Sequence, residues 1–295
     1  MKKFIYFISK IIIGLYISAY LIDTAFDYIF TKYSKRNKFN ILNNKEYDLA
    51  LFGNSRIDGN IIPQLIDSTL GISCINVGGA ALYPVDILAS LRLYIYKNKV
   101  PKIIIVQIDD TFNYENSSFL GRQVFLPYYK SNILSDYYNY CEDSKYYRIP
   151  LYRYNKYRDL GWRELYKIII NNSNELFQVH SGYRKRDRER VNITNEQISW
   201  DYPNKINTHI QSIIDLCERQ NIKLIFLTSP VYGRLNQNVC NEFDEKFDNY
   251  INQSQLIDDI EYFVDRSHVN HQGAIIQTLH LIEEIKKLGF NQFHN

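Results

Sequence analysis

The alternation of apolar and polar positions divides the chain into regions of different character. Phe4 to Ile22 is apolar almost throughout, broken by Lys10 and a few small polar residues, and is densest over Ile11–Ile22. About 20 apolar residues cross a bilayer as a helix. Lys10 lies near one end of the stretch, where a long side chain can reach the headgroups. No small-x-small cleavage site follows, so the pattern predicts an uncleaved signal anchor over residues 1–30. The plain alternative is an amphipathic helix packed on the rest of the protein. Residues 31–46 are polar and basic without strong periodicity, and read as a linker.

Three continuous apolar runs of strand length come next: Leu49–Phe52, Ile72–Val77 and Ile103–Ile108. Ile61–Ile66 suits a short helix with Pro63 in its first turn, and Pro84–Ile95 a longer one entered by proline. Continuous apolar strands alternating with helices predict a parallel sheet covered on both faces. The rhythm breaks over 112–203, a region loaded with Tyr and Arg, as in Tyr146–Tyr154, with one helical pattern at Trp162–Ile170. It resumes with a helix near 204–220, a strand at Lys223–Thr228 ended by Ser229-Pro230, a short strand near 260–264 and a helix near 271–287. The expected organisation is therefore an anchor (1–30), a linker (31–46) and an α/β domain (47–290) with an insertion at 112–203.

Composition narrows the function classes. At 295 residues and 45% hydrophobic content the chain can bury a real core, and it is not a disordered chain. A net charge of +3 gives no argument for nucleic acid as a partner. The cysteines at 74, 141, 217 and 240 form no Cys-x-x-Cys pair, and Cys74 and Cys217 read as buried free thiols. Lys2, Lys3 and Lys10 precede the apolar stretch, while Lys32, Lys35, Arg36 and Lys38 follow it. The positive-inside rule is thus nearly balanced, and a raw count slightly favours a cytoplasmic C-terminal domain.

Ligands of open parallel sheets bind at the carboxyl ends of the strands. Ser55, Gly78, Asp109, Asp110, Ser229, Asp265 and His268 all follow predicted strands there. A serine hydroxyl becomes a nucleophile when a histidine takes its proton and a carboxylate holds the histidine. Gly53-Asn54-Ser55-Arg56 supplies the serine, and Asp265-Arg266-Ser267-His268 the other two groups, three residues apart. Each has a plain reading as well. Gly-Asn-Ser is a good turn and helix cap. Asp265-x-x-His268-x-x-His271 is a metal half-site without a fourth ligand. Asp109-Asp110 could meet Mg²⁺, but no Gly-rich phosphate loop accompanies it. No cofactor or metal is expected. Arg56 could hold a carboxylate or pair with Asp58. Arg184–Arg190 reads as a solvated face, or as a surface for anionic headgroups or glycan.

On these residues the chain resembles the SGNH (GDSL-type) hydrolases, in the diverged, membrane-anchored form that acetylates or deacetylates surface polysaccharides. Gly53-Asn54-Ser55-Arg56 resembles the first block, with Asn where many members have Asp. Asn76-Val77-Gly78-Gly79 resembles the second, and Asp265-Arg266-Ser267-His268-Val269-Asn270 followed by Gly273-Ala274 resembles the last. The third block departs: Gln107-Ile108-Asp109-Asp110-Thr111-Phe112-Asn113 lacks the usual Asn donor. The resemblance covers roughly residues 46–290 and implies a three-layer, flavodoxin-like α/β fold. It implies Ser55 as nucleophile, His268 as base, Asp265 as its orienter, and the N–H groups of Ser55 and Gly78 as oxyanion donors. It further implies an extracytoplasmic domain, a glycan substrate and a membrane acyl-transfer partner. Arg56, Asp109, Asp110, Asn113, Ser229 and Tyr232 are the candidate substrate-binding residues. The insertion should cap the cleft, with some of Tyr128, Tyr129, Tyr152, Trp162 and Arg163 lining it. The rival expectation is an inactive relative that uses the same cleft only to bind glycan or a partner; the missing third-block Asn favours it.

Overall fold

The computed structural model describes residues 1–34, 38–40, 42, 44–157, 161–170, 181–187, 200, 205–233, 235 and 237–289. The protein has an α/β fold built on five strands: β1 (Leu49–Phe52), β2 (Cys74–Asn76), β3 (Ile103–Gln107), β4 (Lys223–Thr228) and β5 (Tyr250–Asn252). All pair in parallel, in the order β2-β1-β3-β4-β5. Leu51 of β1 lies between Asn76 of β2 and Ile105 of β3. β1 and β3 are buried at every position, as a strand covered on both faces must be.

The two faces separate by the strand period of two. Leu49, Leu51, Ile103, Ile105, Ile225 and Leu227 pack with Ile57 and Ile66 and with Leu281, Ile282 and Ile285. These partners come from α2 (Ser55–Asn60), α3 (Pro63–Leu70) and α10 (His271–Lys287). Ala50, Phe52, Ile104, Val106 and Phe226 face the other way. They meet α4 (Pro84–Lys97), α8 (Thr208–Arg219) and α9 (Gln237–Lys246). That second cluster continues into the region between β3 and β4, which holds α5 (Phe119–Phe125), α6 (Tyr152–Lys156), α7 (Trp162–Ile170) and several 3₁₀ turns.

The polar stretch before α10 departs from expectation. The fifth sheet strand is Tyr250–Asn252, which the pattern did not reveal: three residues with one aliphatic among them give no periodicity to read. The expected strand near 260–264 is a 3₁₀ turn leading into β6 (Phe263–Asp265). β6 pairs antiparallel with β7 (His268–Val269) in a separate two-stranded ribbon. The helix expected near 204–220 is α8; residues 201–204 lie outside the described residues.

The N-terminal helix α1 runs from Lys2 to Tyr33 and is long and apolar enough to cross a membrane. Its first part, through Ile22, is almost wholly exposed. Asp23, Phe26, Asp27 and Phe30 are buried, a one-sided i, i+3, i+4, i+7 stripe. The packed part of the protein therefore begins at about residue 23, inside the 1–30 segment expected as an anchor. The linker expected at 31–46 is corrected too: Ser34, Lys38, Phe39 and Leu42 are buried. The few apolar residues of this basic stretch, Phe39, Ile41 and Leu42 among them, carried no periodic signal.

Candidate active site

Local sequence explains how the nucleophile candidate is held. Gly53 ends β1 in a place where a Cβ would meet Ile57 and Gln107 at 2.5 and 2.7 Å. Asn54 then caps α2, its side chain accepting the N–H of Arg56 at 2.9 Å. The turn-and-cap reading and the site reading thus hold together. Ser55 is the first helical residue, half-buried, and nothing among the described residues accepts its backbone N–H.

The structure brings Ser55, His268 and Asp265 together. Ser55 Oγ lies 2.7 Å from His268 Nε2. His268 Nδ1 lies 2.8 and 2.9 Å from the two oxygens of Asp265. The three-residue spacing is met by the β6–β7 turn, in which Asp265 and His268 face each other across Arg266-Ser267. The Asp265 carboxylate only accepts, so it fixes the proton on Nδ1 and leaves the Nε2 lone pair for the serine hydroxyl. Burial alone would raise the Asp265 carboxyl. The His268 ring and the N–H groups of Ser267 and His268 outweigh it and hold the carboxyl below its usual range. Tyr232 donates its N–H to Arg266 O at 2.9 Å, and its ring rests on Phe263. It props the turn that carries Asp265 and His268.

Behind Ser55 lies a buried polar knot that the sequence reading assigned to substrate. Asp109 accepts from Asn54 Nδ2 at 2.6 Å, Gln107 Nε2 at 2.8 Å, and Thr111 N–H and hydroxyl at 2.9 and 2.7 Å. It also forms an ion pair with Arg56. Burial would raise the Asp109 carboxyl, but Arg56 and the Thr111 donors hold it low. Both residues are almost fully buried and satisfied by protein partners. They are therefore corrected from substrate-binding groups to internal supports, and Asp109 has no oxygen to spare for Mg²⁺. Arg56 turns away from Asp58; its guanidinium reaches Asp110 at 3.3 Å and stacks over Trp200 at 5.6 Å. Asp110 is largely exposed. Asn113 is half-buried in the turn after Asp110. Ser229 is wholly buried and accepts from Gln277 at 3.2 Å, so it too is withdrawn from the substrate side.

The second-block glycine departs from its expected role. Gly78 N–H is donated to Asn76 Oδ1 at 3.0 Å, and so is committed within the protein. Asn76 also donates to the carbonyls of Ile57 and Ile61, at 2.6 and 3.1 Å. It ties the end of β2 to α2. A Cβ on Gly78 would meet Asp58 N at 2.7 Å, so only glycine permits this approach.

Residues 181–187 cross α2, and sequence reasoning gave them no such part. Arg186 donates to Ser55 O at 2.7 Å, Arg184 pairs with Asp58 at 3.2 Å, and the Tyr183 hydroxyl lies 3.0 Å from His271 Nδ1. Lys38, fully buried, donates to Asp58 at 2.8 Å and to Asn76 O and Gly182 O. The basic run is thus partly tied to α2, the helix that carries Ser55; Arg188–Arg190 lie outside the described residues. A cavity of about 430 Å³ opens beside Gly78 and Gly79, with Leu82, Val124, Ile168 and Arg184 among its walls. The region between β3 and β4 does line it, but Tyr128, Tyr129, Tyr152, Trp162 and Arg163 do not. Tyr129 and Tyr152 pack against other tyrosines, Tyr128 is buried beside Lys97, and Trp162 meets Phe26.

No family model matches the sequence, and no curated protein matches it. Among solved structures, the chain is similar to a protein of the G-D-S-L family from Desulfitobacterium hafniense DCB-2. The identity is 12% and the TM-score 0.40, over 80% of this chain and 98% of the other.

Proposed function

We propose that the protein is a membrane-anchored serine acyl-esterase or O-acyltransferase of SGNH type, moving acetyl groups on a cell-surface polysaccharide. The observation that carries this reading is the continuous relay from Ser55 Oγ through His268 to Asp265, at 2.7 and 2.8 Å. Ser55 Oγ attacks the acyl carbonyl while His268 Nε2 takes its proton, and Asp265 steadies the imidazolium. The Ser55 N–H faces the oxyanion. His268 then returns the proton to the departing sugar oxygen, leaving an acyl-serine. Water, or the hydroxyl of a second sugar, gives up a proton to His268 and attacks that ester, and His268 passes the proton to Ser55 Oγ as the acyl–serine bond breaks. Hydrolysis and transfer share the acyl-serine and differ in this acceptor and, where a membrane partner supplies the acyl group, in the donor that leaves. The domain works outside the cytoplasm, held by α1, with a membrane acyl-transfer partner supplying the group in the transfer case.

A second reading has its own observation. Gly78 N–H is given to Asn76, and the third block has no Asn donor. An oxyanion would then meet too few donors, and the cleft would serve only to bind glycan or a partner. A fluorophosphonate probe separates the two. An activated Ser55 is labelled, and labelling is lost in Ser55→Ala and strongly reduced in His268→Ala. A folded wild-type protein that resists the probe supports the inactive reading.

A further inference from the structure

Part of the protein packs against one side of α1 at the level where the exposed apolar stretch ends. Phe4–Ile22 rises about 28 Å as a helix, close to the thickness of a hydrocarbon core. At its end, Lys130 sits 4.7 Å from the Tyr20 ring centroid, donates to Thr24 at 2.9 Å, and pairs with Asp23 and Asp27 at 3.5 and 3.2 Å. Leu151 N–H reaches Asp23 at 3.0 Å. The Trp162 ring lies edge-on to Phe26 at 5.2 Å. Exposed apolar side chains mark the same level: Trp162 is 59% exposed and Ile149, two residues before Leu151, 53%. Indole and tyrosine rings prefer the boundary between apolar chains and water.

Next to Lys130 is a cavity of about 600 Å³, with Tyr129, Ser135, Ser144, Lys145 and Arg148 in its wall. No carboxylate lines it. Asp23 and Asp27 are matched by Lys130 and the fully buried Arg153. Lys145 rests over the Tyr146 ring at 4.9 Å, and among the described residues neither it nor Arg148 has an acidic partner. Two uncompensated cations and several hydroxyls therefore converge beside the helix, at the depth where lipid phosphates would stand if α1 crosses a bilayer.

We propose that this collar seats on the bilayer surface and that its cavity takes the phosphate of an anionic lipid headgroup. The proposal rests on the reading of α1 as a membrane helix, and is independent of the chemistry at Ser55. Its role is orientation: a single helix leaves a domain free to tilt, and a second contact at the headgroups fixes which face meets the membrane.

The test uses the full chain in three measurements. Flotation with phosphatidylcholine vesicles reads the α1 insertion. Tryptophan quenching by lipids with brominated chains reads the collar, since Trp162 and Trp200 are the two tryptophans of the chain. Quenching of the wild type should disappear in Trp162→Phe. Titration of the detergent-solubilised protein with phosphatidylglycerol, followed by native mass spectrometry, reads the cavity. Lys145→Gln with Arg148→Gln should weaken binding on the order of 30-fold at low salt, at about a factor of five per cation, with no change in melting temperature. Failure to float overturns the membrane reading of α1 and the collar with it. Flotation without Trp162 quenching leaves the helix in the bilayer and overturns the collar. Equal lipid binding by the double variant overturns the cavity assignment, as does displacement of the lipid by inorganic phosphate at equal concentration.

Discussion

Two sets of charged residues organise this protein, and they are built in opposite ways. At the sheet edge, Asp265 and His268 stand on a short turn with side chains 44% and 20% exposed. At the base of α1, Arg153 has no exposed side-chain surface and Asp23 and Asp27 very little. The first set keeps a ring nitrogen and a hydroxyl facing each other, 2.7 Å apart and partly open to water. The second is sealed by Phe26, Phe30 and Tyr154, whose rings pack about 5 Å apart. A buried charge left without its partner is costly, whereas a partly wet one is replaced by water at small cost. Damage to the first set should therefore remove chemistry and spare the fold, and damage to the second should do the reverse.

The largest expected effect is chemical. Ser55→Ala should lower turnover of a small acetyl ester by several orders of magnitude, on the order of 10⁴ to 10⁶, because the three groups act as a unit. Its melting temperature should stay close to wild type. Asp265→Asn should cost less than His268→Ala, since the base itself remains. Steady-state kinetics and a thermal melt on each variant check this. Equal turnover by wild type and Ser55→Ala would assign any hydrolysis to another group or to a contaminant.

The contrasting change is Arg153→Met. It leaves Asp23 and Asp27 with the half-exposed Lys130 as their one cation among the described residues, and the Leu126 carbonyl without the guanidinium that now donates to it at 2.6 Å. Breaking a buried pair this way costs about 3–5 kcal/mol, which denaturant unfolding would read directly. Per folded molecule, fluorophosphonate labelling of Ser55 should be unchanged. Truncation sharpens the same contrast. Removing residues 1–22 takes away only exposed helix and should give a folded protein. Removing 1–30 also deletes Asp23, Phe26, Asp27 and Phe30, and should yield aggregated or unfolded protein. Equal solubility and equal unfolding midpoints for the two truncations would mean that the packed end of α1 contributes nothing.

How far the sequence revealed each region follows from how its residues signal. β1, β3 and β4 announced themselves because strands buried on both faces must be continuously apolar. Ser55 was legible as a hydroxyl directly after a buried sheet strand, and Asp265 and His268 by their three-residue spacing, although they stand on the β6–β7 ribbon and not at the end of a sheet strand as expected. Arg56, Asp109 and Ser229 looked the same in the sequence, and nothing local says whether a polar side chain after a strand points outward or into the protein. Their partners decide it: Asn54, Gln107 and Thr111 for Asp109, and Gln277 for Ser229. The sealed set at α1 was not legible. Nothing local to Asp23 and Asp27 marks them as buried, and their partner Arg153 lies some 130 residues away in a tyrosine-rich stretch without clear periodicity. The short spacing of Asp265 and His268 can be read locally, and a pairing across such a separation cannot.

The smallest expected effect is a difference in acid sensitivity. The folded protein holds the Asp265 carboxyl below its usual range, so between the folded value and the unfolded value of about 3.9 the native state binds fewer protons than the unfolded chain. Stability from this group is complete above the unfolded value and is lost as pH falls through the folded one. Asp265→Asn removes the titration. The melting temperatures of wild type and variant should therefore differ most near neutral pH and converge at strongly acid pH, and the gap should be modest because the carboxylate is partly solvated. Asp109→Asn makes the matching measurement at a sealed position: its carboxyl is also held low, and its loss leaves Arg56 buried beside an uncharged amide. That gap should be the wider at neutral pH. A gap for Asp265→Asn that equals the Asp109→Asn gap, or that does not close in acid, would mean that exposure does not separate the two carboxylates as argued.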